Sequence, residues 1–129
     1  MTKTTSPAIE DIIRRYLAVW SEPDPAARRT AVASLWAPDG VEFVDGQQFR
    51  GLDELDARVA GAYDAFIAGG EYTLTGAQDV SVHGDMAAFT IHLTEASGEA
   101  AWTARVFLMI ADGRVQEDYH IQIKLLQTA

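Results

Sequence analysis

There is no cysteine among the 129 residues, so disulfides, thiol chemistry and cysteine-bound metal are excluded. Positive charge is also scarce: 10 Lys and Arg stand against 19 Asp and Glu, a formal net charge of −9. Nucleic acid and anionic membranes are therefore poor partners, since each needs a basic patch, and polyphosphate substrates are disfavoured on the same ground. No uninterrupted apolar stretch approaches the ~18 residues of a membrane span, and the polar start Met1-Thr-Lys-Thr-Thr-Ser6 does not read as a secretory signal. A cytoplasmic location is the expectation. Phosphate loops, dinucleotide fingerprints and nucleophile elbows are missing. His83, His92 and His120 are too widely spaced to suggest a metal centre, and no cofactor is expected.

What the chain does have is enough apolar residue to bury a core, 48% of its composition, in a length that makes residues 1–129 one domain. Ser6-Pro7 is a helix-start signal. Ile9, Ile12, Ile13, Tyr16, Leu17 and Trp20 follow at helical spacing as one apolar stripe. Asp24-Pro25 starts a second helix, with Ala31, Val32, Leu35 and Trp36 inward, which Pro38-Asp39-Gly40 breaks. A short strand, Val41 to Val44, ends at Asp45-Gly46. Gly51 opens a third helix carrying Leu55, Val59, Ala62, Tyr63, Phe66 and Ile67, closed by Gly69-Gly70. From there the period changes to two. Tyr72 to Val82, Met86 to Glu95, Ala101 to Ile110 and Val115 to Leu126 read as four strands of an antiparallel meander. Helices first and strands afterwards indicate an α+β domain with helices packed on a curved antiparallel sheet.

The turns assign side chains to faces. A two-residue turn at Ser97-Gly98 pairs Leu93 with Trp102, Ile91 with Ala104 and Phe89 with Val106, an apolar surface that belongs to the core. The next turn leaves two registers open. A two-residue turn at Asp112-Gly113 turns Tyr119, Ile121 and Ile123 inward. A three-residue turn with Gly113 in a G1 bulge instead turns Asp118, His120 and Gln122 inward, opposite Val106, Ala104 and Trp102. Hydrophobic pattern alone favours the first.

Several residues in this order resemble the nuclear transport factor 2-like superfamily, and within it the ketosteroid isomerase and SnoaL-type polyketide cyclase group. They are Arg15-Tyr16-Leu17, Leu35-Trp36-Ala37-Pro38-Asp39, Val41-Glu42-Phe43-Val44-Asp45, Phe49-Arg50-Gly51 and Asp112-Gly113-Arg114-Val115-Gln116-Glu117-Asp118. The resemblance covers nearly the whole chain. It implies a cone-shaped roll enclosing a pocket for a small hydrophobic ligand, and it favours the bulged register.

On that resemblance Asp45 matches the isomerase's general base, a carboxylate whose pKa burial would raise. The alternative is a plain Asp-Gly turn. Tyr16 matches the oxyanion-hole tyrosine, or is simply a core residue of the first helix. The isomerase's second donor, an aspartic acid, falls on Val106 or Phe107, so half of that oxyanion hole is missing. Asp118 and His120 share a face and could form a carboxylate–imidazole acid/base pair like the last-strand chemistry of SnoaL-type cyclases, or lie on an exposed strand. Arg105-Val106-Phe107 lacks the acid that limonene epoxide hydrolases need. Trp20, Phe89, Trp102, Val106 and Gln122 are the expected ligand wall. The leading expectation is a cofactor-independent acid/base enzyme acting on a neutral apolar molecule; the alternative is a non-catalytic ligand-binding or dimerisation module. In the bulged register Tyr119, Ile121 and Ile123 join Phe107 and Met109 outside, which predicts a homodimer.

Overall fold

The apolar stripe of the first helix is buried as its spacing requires. In the computed structural model, which describes residues 7–126, α1 (Pro7–Val19) buries Ile12, Ile13, Tyr16 and Val19, and Trp20 just beyond it joins them. The expected Ser6 cap lies outside the described residues. Asp24 caps α2 (Pro25–Leu35) by accepting the Ala27 N–H at 2.9 Å, with proline at the first helical position. After α3 (Gly51–Ala62) comes one π turn, Tyr63–Ile67, marked by the Ala68 N–H donating to the Tyr63 carbonyl at 2.8 Å.

The strands are β1 (Trp36–Val44), β2 (Gln47–Arg50), β3 (Thr73–Gly76), β4 (Ser81–His83), β5 (Met86–Thr94), β6 (Ala100–Ala111) and β7 (Arg114–Lys124). They form one curved sheet in the order β2-β1-β7-β6-β5-β3, with β4 also on β5. Helical residues such as Ile12, Tyr16, Leu35, Leu55 and Val59 share a core with Phe89, Ile91, Ala104, Val106 and Leu108 from the strands. The domain is the expected α+β cone.

Four details correct the reading of the sequence. The sheet is mixed, because β1 runs parallel to β7. Trp36 begins β1 rather than ending α2, pairing with Val115 before the strand bulges through Pro38-Asp39-Gly40. β2, whose Gln47-Gln48 gives little apolar signal, pairs with β1 across a tight turn in which Asp45 and Gly46 both have positive φ. The single strand expected from Tyr72 to Val82 is broken at Gly76. A Cβ there would stand 2.4 Å from the Thr90 carbonyl oxygen, so only glycine allows this approach.

The last hairpin answers the register question by a route that neither alternative contained. Asp112 and Gly113 both have positive φ and form a two-residue turn, pairing Ala111 with Arg114 and Ile110 with Val115. Gln116 is then an extra residue in β7, and beyond it Asp118 pairs with Leu108, His120 with Val106 and Gln122 with Ala104. The bulge lies in the strand, not the turn. Its consequence for the faces is the same: Asp118, His120 and Gln122 point inward, while Tyr119, Ile121 and Ile123 are exposed. The β5–β6 pairs Phe89–Val106, Ile91–Ala104 and Leu93–Trp102 are those read from the sequence.

Candidate functional site

Alternation along β7 turns Asp118, His120 and Gln122 to the concave side, and alternation along β1 does the same for Glu42 and Val44. The parallel β1–β7 ladder sets Glu42 beside Asp118 and Val44 beside His120. Tyr16 enters from α1 and Arg58 from α3. The result is a buried polar cluster in an apolar core: Glu42 and Asp118 are fully buried, His120 nearly so. Tyr16 donates its hydroxyl proton to Asp118 Oδ2 at 2.9 Å, and its oxygen lies 2.5 Å from His120 Nε2. Glu42 Oε2 and Asp118 Oδ1 approach the same nitrogen at 3.1 and 3.2 Å. Arg58 Nε donates to Glu42 Oε1 at 3.0 Å.

These partners fix the imidazole's tautomer. A carboxylate only accepts, so the Tyr16 hydroxyl directs its proton at Asp118, and Nε2 must carry the hydrogen that faces the Tyr16 oxygen and the carboxylates. His120 Nδ1 has no hydrogen-bond partner, and it is the atom left free to gain or lose a proton. Burial opposes charge on the ring, yet the carboxylates of Asp118 and Glu42 outweigh it and raise the His120 pKa above its ordinary value. Burial likewise raises Glu42, with the charges of His120 and Arg58 offsetting it in part. For Tyr16, burial and then the charges of Asp118 and Glu42 push the phenol well above its usual range, so it stays a donor. With His120 protonated, Glu42 and Asp118 are balanced by Arg58 and His120.

Glu42, Asp118 and His120 are also the set that could hold a cation, with one ligand atom each within 4.8 Å of the others. The donor chemistry fits a proton better. Arg58 already occupies Glu42, Tyr16 already occupies Asp118, and a divalent ion would stand beside the guanidinium.

A raised His120 pKa links protonation to folding. The folded state holds that proton more tightly than the unfolded chain, whose histidine titrates near 6.5. Its contribution is complete below about 6.5 and is lost as pH rises through the folded-state value. Glu42, also raised, acts in the same direction from a lower starting pH. Urea denaturation should show lower stability at pH 9 than at pH 6, with a smaller difference in His120→Gln. Equal stability at both pH values would contradict the assignment.

Next to the cluster lies a cavity of about 270 Å³. Trp20, Phe49, Phe66, Leu74, Ile91 and Leu93 supply much of its apolar wall, and Asp45, Gln47, Arg58, His120 and Gln122 its polar groups. Trp102 Nε1 donates to Gln122 Oε1 at 2.8 Å, which holds both on the wall.

Of the residues expected at the site, Asp45, Trp20, Trp102, His120 and Gln122 line this cavity. Tyr16 and Asp118 are brought to His120 but stand behind it, so Tyr16 meets the imidazole and not the cavity. Phe89 and Val106 are not wall residues. α1 covers that part of the concave face, and the Tyr16 ring packs edge-on to Phe89 at 5.8 Å. Asp45 is exposed in the β1–β2 turn, so it is not the buried carboxylate that the resemblance implied. Sequence reasoning missed Glu42 and Arg58. Signals existed: Glu42 alternates with apolar neighbours in a strand, and Arg58 follows Leu55 by three residues and precedes Ala62 by four, on the inward side of its helix.

The model of the SnoaL-like domain family matches residues 13–118. No curated protein sequence matches the chain. Among solved structures, a provisionally named isomerase of the SnoaL-like family from Agrobacterium tumefaciens superposes with a TM-score of 0.80 at 22% identity, covering 92% of this chain and 99% of that one. A provisionally named ketosteroid isomerase from Kribbella flavida gives 0.68 at 18% identity, covering 95% and 82%. A de novo designed protein of the nuclear transport factor 2 fold gives 0.68 at 18%, covering 92% and 86%. At these identities the likenesses establish the fold, and the family match spans most of the sequence: the chain belongs to the SnoaL-like domain family.

Proposed function

We propose that this protein is a cofactor-independent acid/base enzyme of the isomerase or cyclase kind, acting on a small, largely apolar, neutral molecule. One observation carries the reading: His120 stands on the wall of an apolar cavity with Nε2 committed to Tyr16, Glu42 and Asp118 and with Nδ1 unpartnered. An imidazole held in this way can give a proton from Nδ1 and recover it without losing its orientation. Asp45, on the same cavity, is the complementary base. It removes a proton from the carbon next to a carbonyl while His120 Nδ1–H protonates the oxygen, and the enol so formed collapses with the proton returned to carbon. Tyr16, Asp118, Glu42 and Arg58 position and charge His120, and Gln122 with Trp102 shapes the wall.

Deuterium uptake at the carbon next to the carbonyl of 1-indanone, followed by NMR in D₂O, tests the reading without knowledge of the natural substrate. Uptake that saturates with 1-indanone and exceeds the buffer rate is expected. Saturable binding with no uptake would assign the chain to non-catalytic ligand binding instead.

The convex face supports a homodimer as part of this reading. Tyr119 (36% exposed), Ile121 (56%), Ile123 (63%) and Met109 (37%) lie outward on adjacent strands, and Phe43 stacks on Tyr119 at 4.9 Å. So contiguous an apolar face is normally covered, most often by a two-fold copy. Sedimentation equilibrium at micromolar concentration should give a dimer, and Ile121→Asp a monomer; a monomeric parent chain would remove this proposal.

A further inference from the structure

The residues that line the cavity carry polar atoms of unequal kind, and two of their nitrogens are buried without a partner. Trp20 lines the cavity, is nearly fully buried, and its indole Nε1 has no acceptor. An indole nitrogen can only donate. His120 Nδ1 is buried without a partner on the same wall, and in the charged ring it too is a donor. Gln122 spends its oxygen on Trp102, which leaves its amide hydrogens. The buried wall therefore offers hydrogen-bond donors, whereas the acceptors that line the cavity, the Asp45 carboxylate and the Gln47 amide, belong to residues exposed at the turn. The Trp20 and His120 rings are close, with centroids 5.9 Å apart. Trp36 Nε1 also lacks an acceptor, but Trp36 belongs to the core and does not line the cavity.

We infer that Trp20 is a ligand-binding residue: its indole N–H donates to an oxygen of the bound molecule that His120 Nδ1–H also addresses. Tyr16, which the resemblance would put in that role, is occupied behind His120. The ligand is a carbonyl compound rather than a carboxylate, because Glu42, Asp118, Arg58 and protonated His120 already balance and a further anion would enter a protein of net charge −9. The inference rests on the cavity being the ligand site and deepens the enzyme reading by naming the atoms that hold the substrate oxygen.

A matched pair of probes of nearly equal shape, 1-indanone and indane, isolates the oxygen. With ¹⁵N-labelled protein, the Trp20 indole N–H resonance, assigned with Trp20→Phe, should move downfield on adding 1-indanone and should not on adding indane. By calorimetry Trp20→Phe should weaken 1-indanone about tenfold, the effect of losing one buried hydrogen bond, and change indane by less than about twofold. If the variant fails to fold, the resonance of the parent protein still decides. A Trp20 signal that responds alike to both probes, or no binding of 1-indanone at millimolar concentration, overturns the inference. A Trp20 response to 1-indanone without deuterium uptake sinks the enzyme reading and leaves this one standing; uptake with a silent Trp20 does the reverse.

Discussion

His120→Gln is expected to lower the rate of deuterium uptake into 1-indanone by about 10²- to 10⁴-fold, the usual contribution of a positioned acid/base group. Glutamine is similar in reach and keeps a donor toward Tyr16 and the carboxylates, so the fold and the cavity should survive and 1-indanone should still bind. The loss then lies chiefly in turnover, with affinity falling by no more than the roughly tenfold of one hydrogen bond to the ligand oxygen. Tyr16→Phe makes a graded companion. It removes the hydroxyl that bridges Asp118 and His120 but leaves the imidazole in place with its direct 3.2 Å approach to Asp118, so activity should fall less and the alkaline limb of its pH profile should shift. A His120→Gln protein with undiminished uptake would show that the proton moves elsewhere, with Asp45 acting alone as the first alternative.

The second large effect is on stability. Arg58→Met removes the guanidinium that pairs with fully buried Glu42 and that lies 5.2 Å from the Trp20 ring centre. Breaking a buried pair by deleting one partner costs about 3–5 kcal/mol, because the remaining charge is left uncompensated. Here the lower end applies, since Arg58 is partly exposed and His120 still faces Glu42. Adding Glu42→Gln to Arg58→Met should recover much of the loss, since the stranded charge goes with it. Urea denaturation of the single and double variants gives the coupling directly. A loss below about 1 kcal/mol in Arg58→Met would place Glu42's compensation on His120 alone.

The site was legible in part, and the boundary follows sequence distance. Asp118 and His120 stand two apart on one strand, so their shared face needed only the period of a β-strand. That this face is the inner one depended on the Gln116 bulge, which no turn residue announces. Period and turn chemistry cannot detect an extra residue in mid-strand, and here the family resemblance favoured the right face through the wrong device. Glu42 was quoted only as part of a family-like segment, because its importance depends on β1 lying parallel to β7, a pairing between residues 42 and 118 that local pattern does not encode. Tyr16 was legible as buried and as polar, but whether its hydroxyl meets a ligand or a histidine is set by which part of the sheet α1 covers. Phe89 and Val106 were misjudged for that same reason. The core, by contrast, was nearly all readable, since helical stripes and strand alternation are local signals.

One charge is central to the proposed chemistry: a protonated His120 on the wall of an apolar cavity near neutral pH. Titration of the His120 ring by ¹⁵N NMR in the ligand-free protein measures it most directly. The predicted result is a midpoint above the ordinary histidine value of about 6.5, with Nε2 protonated throughout and Nδ1 the site that titrates. A midpoint at or below that value, or titration at Nε2, would mean that the carboxylates do not hold the ring charged, and would contradict the account.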